Sequence, residues 1–218
     1  MRTRRLFAFD RSLDRRLVAG VDEAGRGSLA GPLVAAGVLI DYGDLRLSDR
    51  RALAGLHDSK QMTEELREEL YPHVLRAAAR ISVVFRCVRG IDSRGLHVTN
   101  IEALSAALVA LDVPDGPDAS DAIRLVDGFS LPPCPLEHRA VIEGDGTSAA
   151  IAAASVIAKV SRDRYMRRLA GAHPGWGFDE NVGYSTPGHR QAIAEIGISP
   201  QHRRSFQSVA YRQLELAG

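Results

Sequence analysis

The acids of this chain that could do chemistry together stand at the ends of apolar runs. Asp22 and Glu23 close the run that begins at Leu17, Asp127 closes Ile123 to Val126 and is followed by Gly128, and Asp145 follows Ala140 to Ile142 just ahead of an Ala-rich stretch. Any one of them alone reads as a cap on a turn or a helix. Four at matching positions read differently, because the carboxyl ends of neighbouring parallel strands meet at one sheet edge, where ligands bind. Gathered carboxylates repel one another unless cations neutralise them, and ligands that are all oxygen favour Mg²⁺ or Mn²⁺ over zinc. The seven histidines offer no competing site, since no His-x-x-x-His pair and no Cys/His cluster occurs. Two hard cations held by shared carboxylates suit in-line displacement at a phosphodiester. One condition attaches to Glu23. Side chains alternate along a strand, so it joins Asp22 only if the backbone leaves the strand there, which Gly25 and Gly27 permit.

The elements that must position these acids follow from hydrophobic patterning. Strands are expected over Leu17 to Asp22, Leu33 to Ile40, Ile81 to Val88, Ile123 to Val126 and Ala140 to Ile142. The third alternates Ile81, Val83, Phe85 and Cys87 on one face. Helices are expected after Thr63, with Glu64 and Glu65 in its first turn and a kink or restart at Pro72. Others are expected from Asp92 through Leu111, from Thr147 through Met166, around Gln191 to Ile196, and near the C-terminus. The first two strands are too close for a helical crossover and should pair antiparallel, whereas the later ones should be parallel. The fold class is therefore α/β, a mixed five-stranded sheet with flanking helices. Residues 1–16 form an Arg-rich extension and 17–218 a single domain, with Val113 to Ser120 a loop too short to divide it.

Composition sets the outer bounds. With 45% apolar residues among 218, the chain has too much apolar material for disorder. Its longest apolar run, Leu29 to Ile40, is too short for a bilayer and is broken by Gly31, Pro32 and Gly37. No membrane association is expected. Cys87 and Cys134 make no disulfide framework, and a cytoplasmic location is expected. The formal net charge of +1 hides segregation: residues 1–16 balance to +4, 112–145 to −6 and 159–168 to +4. A basic surface around an acidic centre fits that distribution. Gly25-x-Gly27-x-x-x-Gly31 has the wrong spacing for a dinucleotide loop and precedes a strand, so a dinucleotide enzyme is remote.

The ordered blocks of the chain carry a family resemblance. Val21-Asp22-Glu23-Ala24-Gly25-Arg26-Gly27 with Leu29 to Ala36, Asp58-Ser59-Lys60, Val126-Asp127-Gly128, Gly144-Asp145, Ile151 to Val160 with Arg162-Asp163, Gly183-Tyr184 with Thr186 and His189, and His202-Arg203 closely resemble ribonuclease HII. The resemblance covers roughly residues 17–207. It implies an RNase H-like fold with the second strand antiparallel and a helical C-terminal region. It also implies hydrolysis of the RNA strand of RNA–DNA hybrids, and incision 5′ to single ribonucleotides in duplex DNA leaving 3′-OH and 5′-phosphate. Asp22, Glu23, Asp127 and Asp145 fall on the family's catalytic, metal-holding acids, for two Mg²⁺ or Mn²⁺ ions. Gly25, Arg26 and Gly27 fall on the turn that recognises the 2′-OH, and Tyr184 on the ring that packs against the following deoxyribose. Lys60 and Lys159, the only lysines, fall inside family blocks and are expected at substrate phosphates or active-site hydrogen bonds, while Asp163 sits one helical turn from Lys159 as an ion-pair partner.

Expected partners are thus RNA–DNA hybrids and ribonucleotide-containing duplex DNA, with a replication sliding clamp left open, acting as a monomer. Two departures from the family pattern stand out: Glu143 replaces a usual lysine, and Ser185 a frequent glycine. The competing readings are a ribonuclease HIII-like hybrid nuclease and a non-catalytic hybrid-binding module. The first is disfavoured by the Asp-Glu-Ala-Gly-Arg-Gly run, the second by the intact acid set.

Overall fold

The computed structural model describes residues 2–57, 61–111, 121–132, 134–206 and 211. Lys60, the whole Val113 to Ser120 loop and most of the expected C-terminal helix lie outside them. The elements are α1 (Arg2–Ser12), β1 (Leu17–Ala24), β2 (Leu33–Asp41), α2 (Leu47–Ala52), α3 (Glu64–Ala77), β3 (Arg80–Arg86), α4 (Val88–Arg94), α5 (Leu96–Ala110), β4 (Ala122–Asp127), β5 (Arg139–Val141), a 3₁₀ turn at Gly144–Gly146, α6 (Ala149–Ala172), α7 (Phe178–Asn181) and α8 (Pro187–Ile196).

The five strands form one mixed sheet in the order β3-β2-β1-β4-β5. β2 runs antiparallel to β1 and β3, while β4 lies parallel to β1 and to β5. The hairpin and the parallel half both match the expected topology. β1 and β2 are buried almost throughout because helices cover both faces. Val18, Ala36, Val38 and Leu125 pack toward α6, whereas Ala19, Val21, Leu33 and Val126 pack toward α5. Period-two alternation thus feeds two cores from each strand, which is why these runs read as continuously apolar. The small residues of α6 let it approach the sheet closely. A Cβ on Gly20 would lie 2.4 Å from the Ala150 and Ile151 backbone, so only glycine fits under the helix there.

Several local expectations are corrected. β3 stops at Arg86, and Cys87 N-caps α4 instead of extending the strand. As an edge strand it leaves Val83 and Phe85 exposed and buries Ser82, whose hydroxyl donates to the Ala107 carbonyl. Asp92 lies within α4 rather than capping the long helix. Its carboxylate accepts the backbone N–H groups of Arg204 and Ser205, and α5 begins only after Gly95. Ser148, not Thr147, caps α6, because the Thr147 hydroxyl is spent on the Glu143 carbonyl. α3 continues through Pro72, which sits on the exposed side, where its missing N–H disturbs no packing.

The Arg-rich opening segment is helical and packed. Leu6 and Phe7 enter the core, and the buried Asp10 carboxylate accepts the Ala150 N–H at 3.0 Å and the Tyr42 hydroxyl at 2.8 Å. α1 is in this way pinned to the start of α6. Among the described residues no helix is long and apolar enough to cross a membrane.

Candidate active site

The register of the sheet decides which acids can meet. Val21 of β1 lies beside Val126 of β4, so the residues that follow, Asp22 and Asp127, end adjacent parallel strands. Alternation turns both toward α6, on the side of Val18 and Leu125. Glu23 behaves otherwise than expected. β1 continues to Ala24, so the backbone does not leave the strand, and Glu23 reaches the same edge from the α5 side, beside Asn100. Asp22, Glu23 and Asp127 line one cleft of about 650 Å³ with Ala24, Gly25, Arg26, Gly27, Arg67, Ser155, Lys159 and Tyr184. Asp145 sits apart from that lining, buried in the 3₁₀ turn between β5 and α6. It is coupled to the cleft through its neighbour, since the Gly144 N–H donates to Asp127 Oδ1 at 2.7 Å. The turn is entered through Glu143 at φ 50°, a left-handed conformation unusual for a side chain of its size.

The electrostatics of this corner are unfavourable as they stand. Burial pushes the Asp22 carboxyl well above the usual range, and the charges of Glu23 and Asp127 push it further, against hydrogen bonds from Ser155 and the Glu23 N–H. Burial also raises Glu23, and Arg26, 3.3 Å away, only partly offsets it. Lys159, a further cation of the cleft lining, is paired with Asp163 at 2.9 Å, as the helical spacing led us to expect. Among the described residues no three His, Cys, Asp or Glu side chains are gathered as a metal site. Each cleft carboxylate is turned instead onto a local donor: Glu23 N–H, Gly144 N–H or the Arg26 guanidinium. The chemistry of the donor set nevertheless fits a hard divalent cation, because it is buried, all oxygen and mutually repelling.

Two buried arginines that the sequence reading left without a role hold the glycine turn. Arg162 on α6 is fully buried and donates to the carbonyls of Pro32, Val182 and Ala30 and to the Ser28 hydroxyl. Arg203 donates to the carbonyls of Gly31 and Arg26. Gly25, at φ 90°, is required on both counts, since a Cβ there would fall 2.1 Å from Arg162 Nε. A Cβ at Gly27 would meet nothing within 4 Å, so that part of the turn is open to the cleft.

Tyr184 stands at the rim with Lys159 Nζ 4.8 Å and the Arg162 guanidinium 5.2 Å from its ring centroid. Its backbone is fixed by a relay of buried histidines. Ser199 N–H donates to His202 Nδ1, the two Nε2 atoms lie 3.0 Å apart, and His189 Nδ1 faces the Tyr184 carbonyl at 2.8 Å. One proton arrangement satisfies every link: His202 carries its proton on Nε2, His189 on Nδ1, and both rings are neutral. Burial lowers both, His202 to about 4 with help from the charge His189 would carry. Ser185 lends its carbonyl to Arg190.

Comparison with known proteins agrees with this architecture. The family model described as ribonuclease HII matches residues 19–209. The ribonuclease HII of Mycobacterium tuberculosis is 48% identical over 192 residues, covering 88% of this chain and 69% of its own. Among solved structures, the ribonuclease H2 of Pyrococcus horikoshii superposes with a TM-score of 0.72 at 27% identity, over 92% of this chain and 99% of its own. The ribonuclease HII of Archaeoglobus fulgidus, in its complex with PCNA, does so at 0.70 and 28% identity, over 88% and 96%.

Proposed function

The chain belongs to the ribonuclease HII family and is a ribonuclease H, and from that premise we propose that it incises duplex DNA 5′ to single embedded ribonucleotides as well as cutting the RNA strand of hybrids, leaving 3′-OH and 5′-phosphate ends. One observation carries the reading. Buried, mutually repelling carboxylates share a cleft with an open glycine turn and an aromatic ring held at the rim.

In this reading Asp22, Glu23, Asp127 and Asp145 hold Mg²⁺ or Mn²⁺, two ions when substrate is bound. Such ions, once bound, supply positive charge that favours attack of water on the phosphate and stabilises the leaving 3′-oxygen. The turn at Gly25, Arg26 and Gly27 reads the 2′-OH with backbone groups, which approach closely because no side chain intervenes at Gly27. Arg162 and Arg203 keep those groups at fixed positions by holding the Arg26 carbonyl within the turn and the Ala30 carbonyl just beyond it. The Tyr184 ring lies against the next sugar, where an added hydroxyl would be crowded, so a junction is read as hydroxyl on one side and none on the other. Lys159, beside that ring and held by Asp163, approaches a neighbouring phosphate, and Lys60 is proposed for the same task.

The enzyme is proposed to act in the cytoplasm as a monomer. A sliding clamp is a candidate partner, on the precedent of the Archaeoglobus fulgidus complex. The test is to incubate the protein with duplex DNA carrying one ribonucleotide and Mg²⁺ or Mn²⁺, and to map the cut. Incision on the 5′ side of the ribonucleotide is expected; a cut that ignores the 2′-OH, or one that needs no metal, contradicts the reading.

A further inference from the structure

A second basic feature lies outside the cleft, where α1 and α2 face each other. Thr3, Arg4, Phe7 and Arg11 on α1 and Leu47, Arg50, Arg51 and Ala54 beside them line a groove of about 500 Å³. Both sets recur at helical spacing, so each segment turns one continuous face toward the groove. The lining contains four guanidinium groups and no acid. Several arginines elsewhere are answered by an acid. Arg16 pairs with Asp41, Arg94 with Glu102, Arg164 with Glu68 and Arg167 with Glu64. Among the described residues Arg4, Arg11, Arg50 and Arg51 make no ion pair, and Arg11 spends only its Nε, on the Phe7 carbonyl. Arg4, Arg11 and Arg51 are exposed and Arg50 is half-buried.

We propose that this α1–α2 groove binds the phosphate backbone of the nucleic-acid duplex outside the cleft. Four fixed positive charges without internal anions are matched to several phosphates, and guanidinium forks suit phosphate oxygens. Arg4 and Arg11 are separated by about 10 Å along α1 at 1.5 Å per residue, a span that covers about three nucleotides of one strand. A single small phosphate ester would use only part of it. α2 packs on α3, which also reaches the cleft. The Thr3 hydroxyl ties the start of α1 to the carbonyls of Ala54 and Leu56, and the next helix, α3, carries Arg67 into the cleft lining. Phe7 and Leu47 add apolar surface to the lining.

The proposal rests on the hybrid-nuclease reading for its duplex, but binding can be measured without cleavage. Affinity is read by fluorescence anisotropy in the Asp127→Asn background, with a short hybrid that fills only the cleft and a long one that extends past it. Arg4→Gln with Arg51→Gln is expected to weaken the long hybrid about tenfold at physiological salt. The slope of log affinity against log salt should fall by about 1.8, for two phosphate contacts. The short hybrid should be unaffected, as should kcat on it with Asp127 restored. Arg5→Gln, on the same helix but outside the groove, should change neither. Equal weakening of both hybrids, or an unchanged slope, overturns the proposal. So does polyglutamate binding that needs Arg4 and Arg51 while the long hybrid does not, which would assign the groove to an acidic protein. Melting curves confirm that the variants fold.

Discussion

Two regions of this molecule bury charge, and they do it in opposite ways. Behind the glycine turn, Arg162 and Arg203 are enclosed mainly by backbone carbonyls, so every guanidinium nitrogen has an acceptor. At the end of β1 and β4, three carboxylates line one cleft, and burial and mutual repulsion raise Asp22 and Glu23. The first arrangement is self-sufficient and therefore a scaffold. The second is incomplete without positive charge from outside, which is the physical mark of a ligand site. The arginines lend rigidity to the turn that the carboxylates face, so the unstable corner works against a stable wall.

The largest break in that contrast should come from Asp22→Asn. Several kcal/mol of metal-derived stabilisation would be lost, so hybrid cleavage should fall by about 10³-fold. Thermal stability should hold or rise, because a repelled buried charge has been removed. Arg162→Met should do the reverse. It strands three carbonyls and a hydroxyl, and the melting transition should show a loss of about 3 kcal/mol. Arg162→Lys should not rescue it, since an ammonium cannot span the same acceptors.

Tyr184→Ala should reduce preference for a ribonucleotide junction by about tenfold, in keeping with the loss of one stacked ring, while Tyr184→Phe leaves it nearly intact. Relative cutting rates on a junction and on a uniform hybrid would show it. The smallest effect concerns the histidine relay. His202 is neutral when folded, with its protonation lowered from 6.5 to about 4, so its contribution is present above 6.5 and is lost as pH falls toward 4. Asp10, raised to about 6 by burial, acts in the opposite sense, stabilising at low pH and losing that contribution as pH rises through 6. The difference between wild type and His202→Gln isolates the histidine: the wild type should lose more stability on acidification through that window, measured by denaturant midpoints.

How much of this was legible in the sequence depended on how local each feature is. The glycine turn and the β1–β2 hairpin are set by neighbours in the chain, and they stand where the patterning put them, although β1 runs on to Ala24 and β3 stops at Arg86. Asp22 and Asp127 required only the strand order in addition. Arg162 was opaque, because an arginine midway along an Ala-rich helix reads as a surface residue until the loop at 28–32 folds over it. The pairing of His189 with His202 joins residues thirteen apart across a turn, and no periodicity announces it. Glu23 was misjudged for a geometric reason: it arrives from the far side of the sheet without any departure from the strand. The exposure of Val83 and Phe85 follows from β3 being an edge strand, a property of sheet order rather than of the segment. The N-terminal arginines were visible as a charge block, yet their helical spacing against α2 was not.

Whether the carboxylate corner needs cations is tested most directly by melting in the presence of Mn²⁺. Mn²⁺ is titrated into the wild type and into the Asp22→Asn, Asp127→Asn double variant without substrate. The melting temperature should climb with Mn²⁺ in the wild type and stay level in the variant. An equal rise in both, or none in the wild type at saturating metal, would contradict the assignment of these buried carboxylates as a cation site.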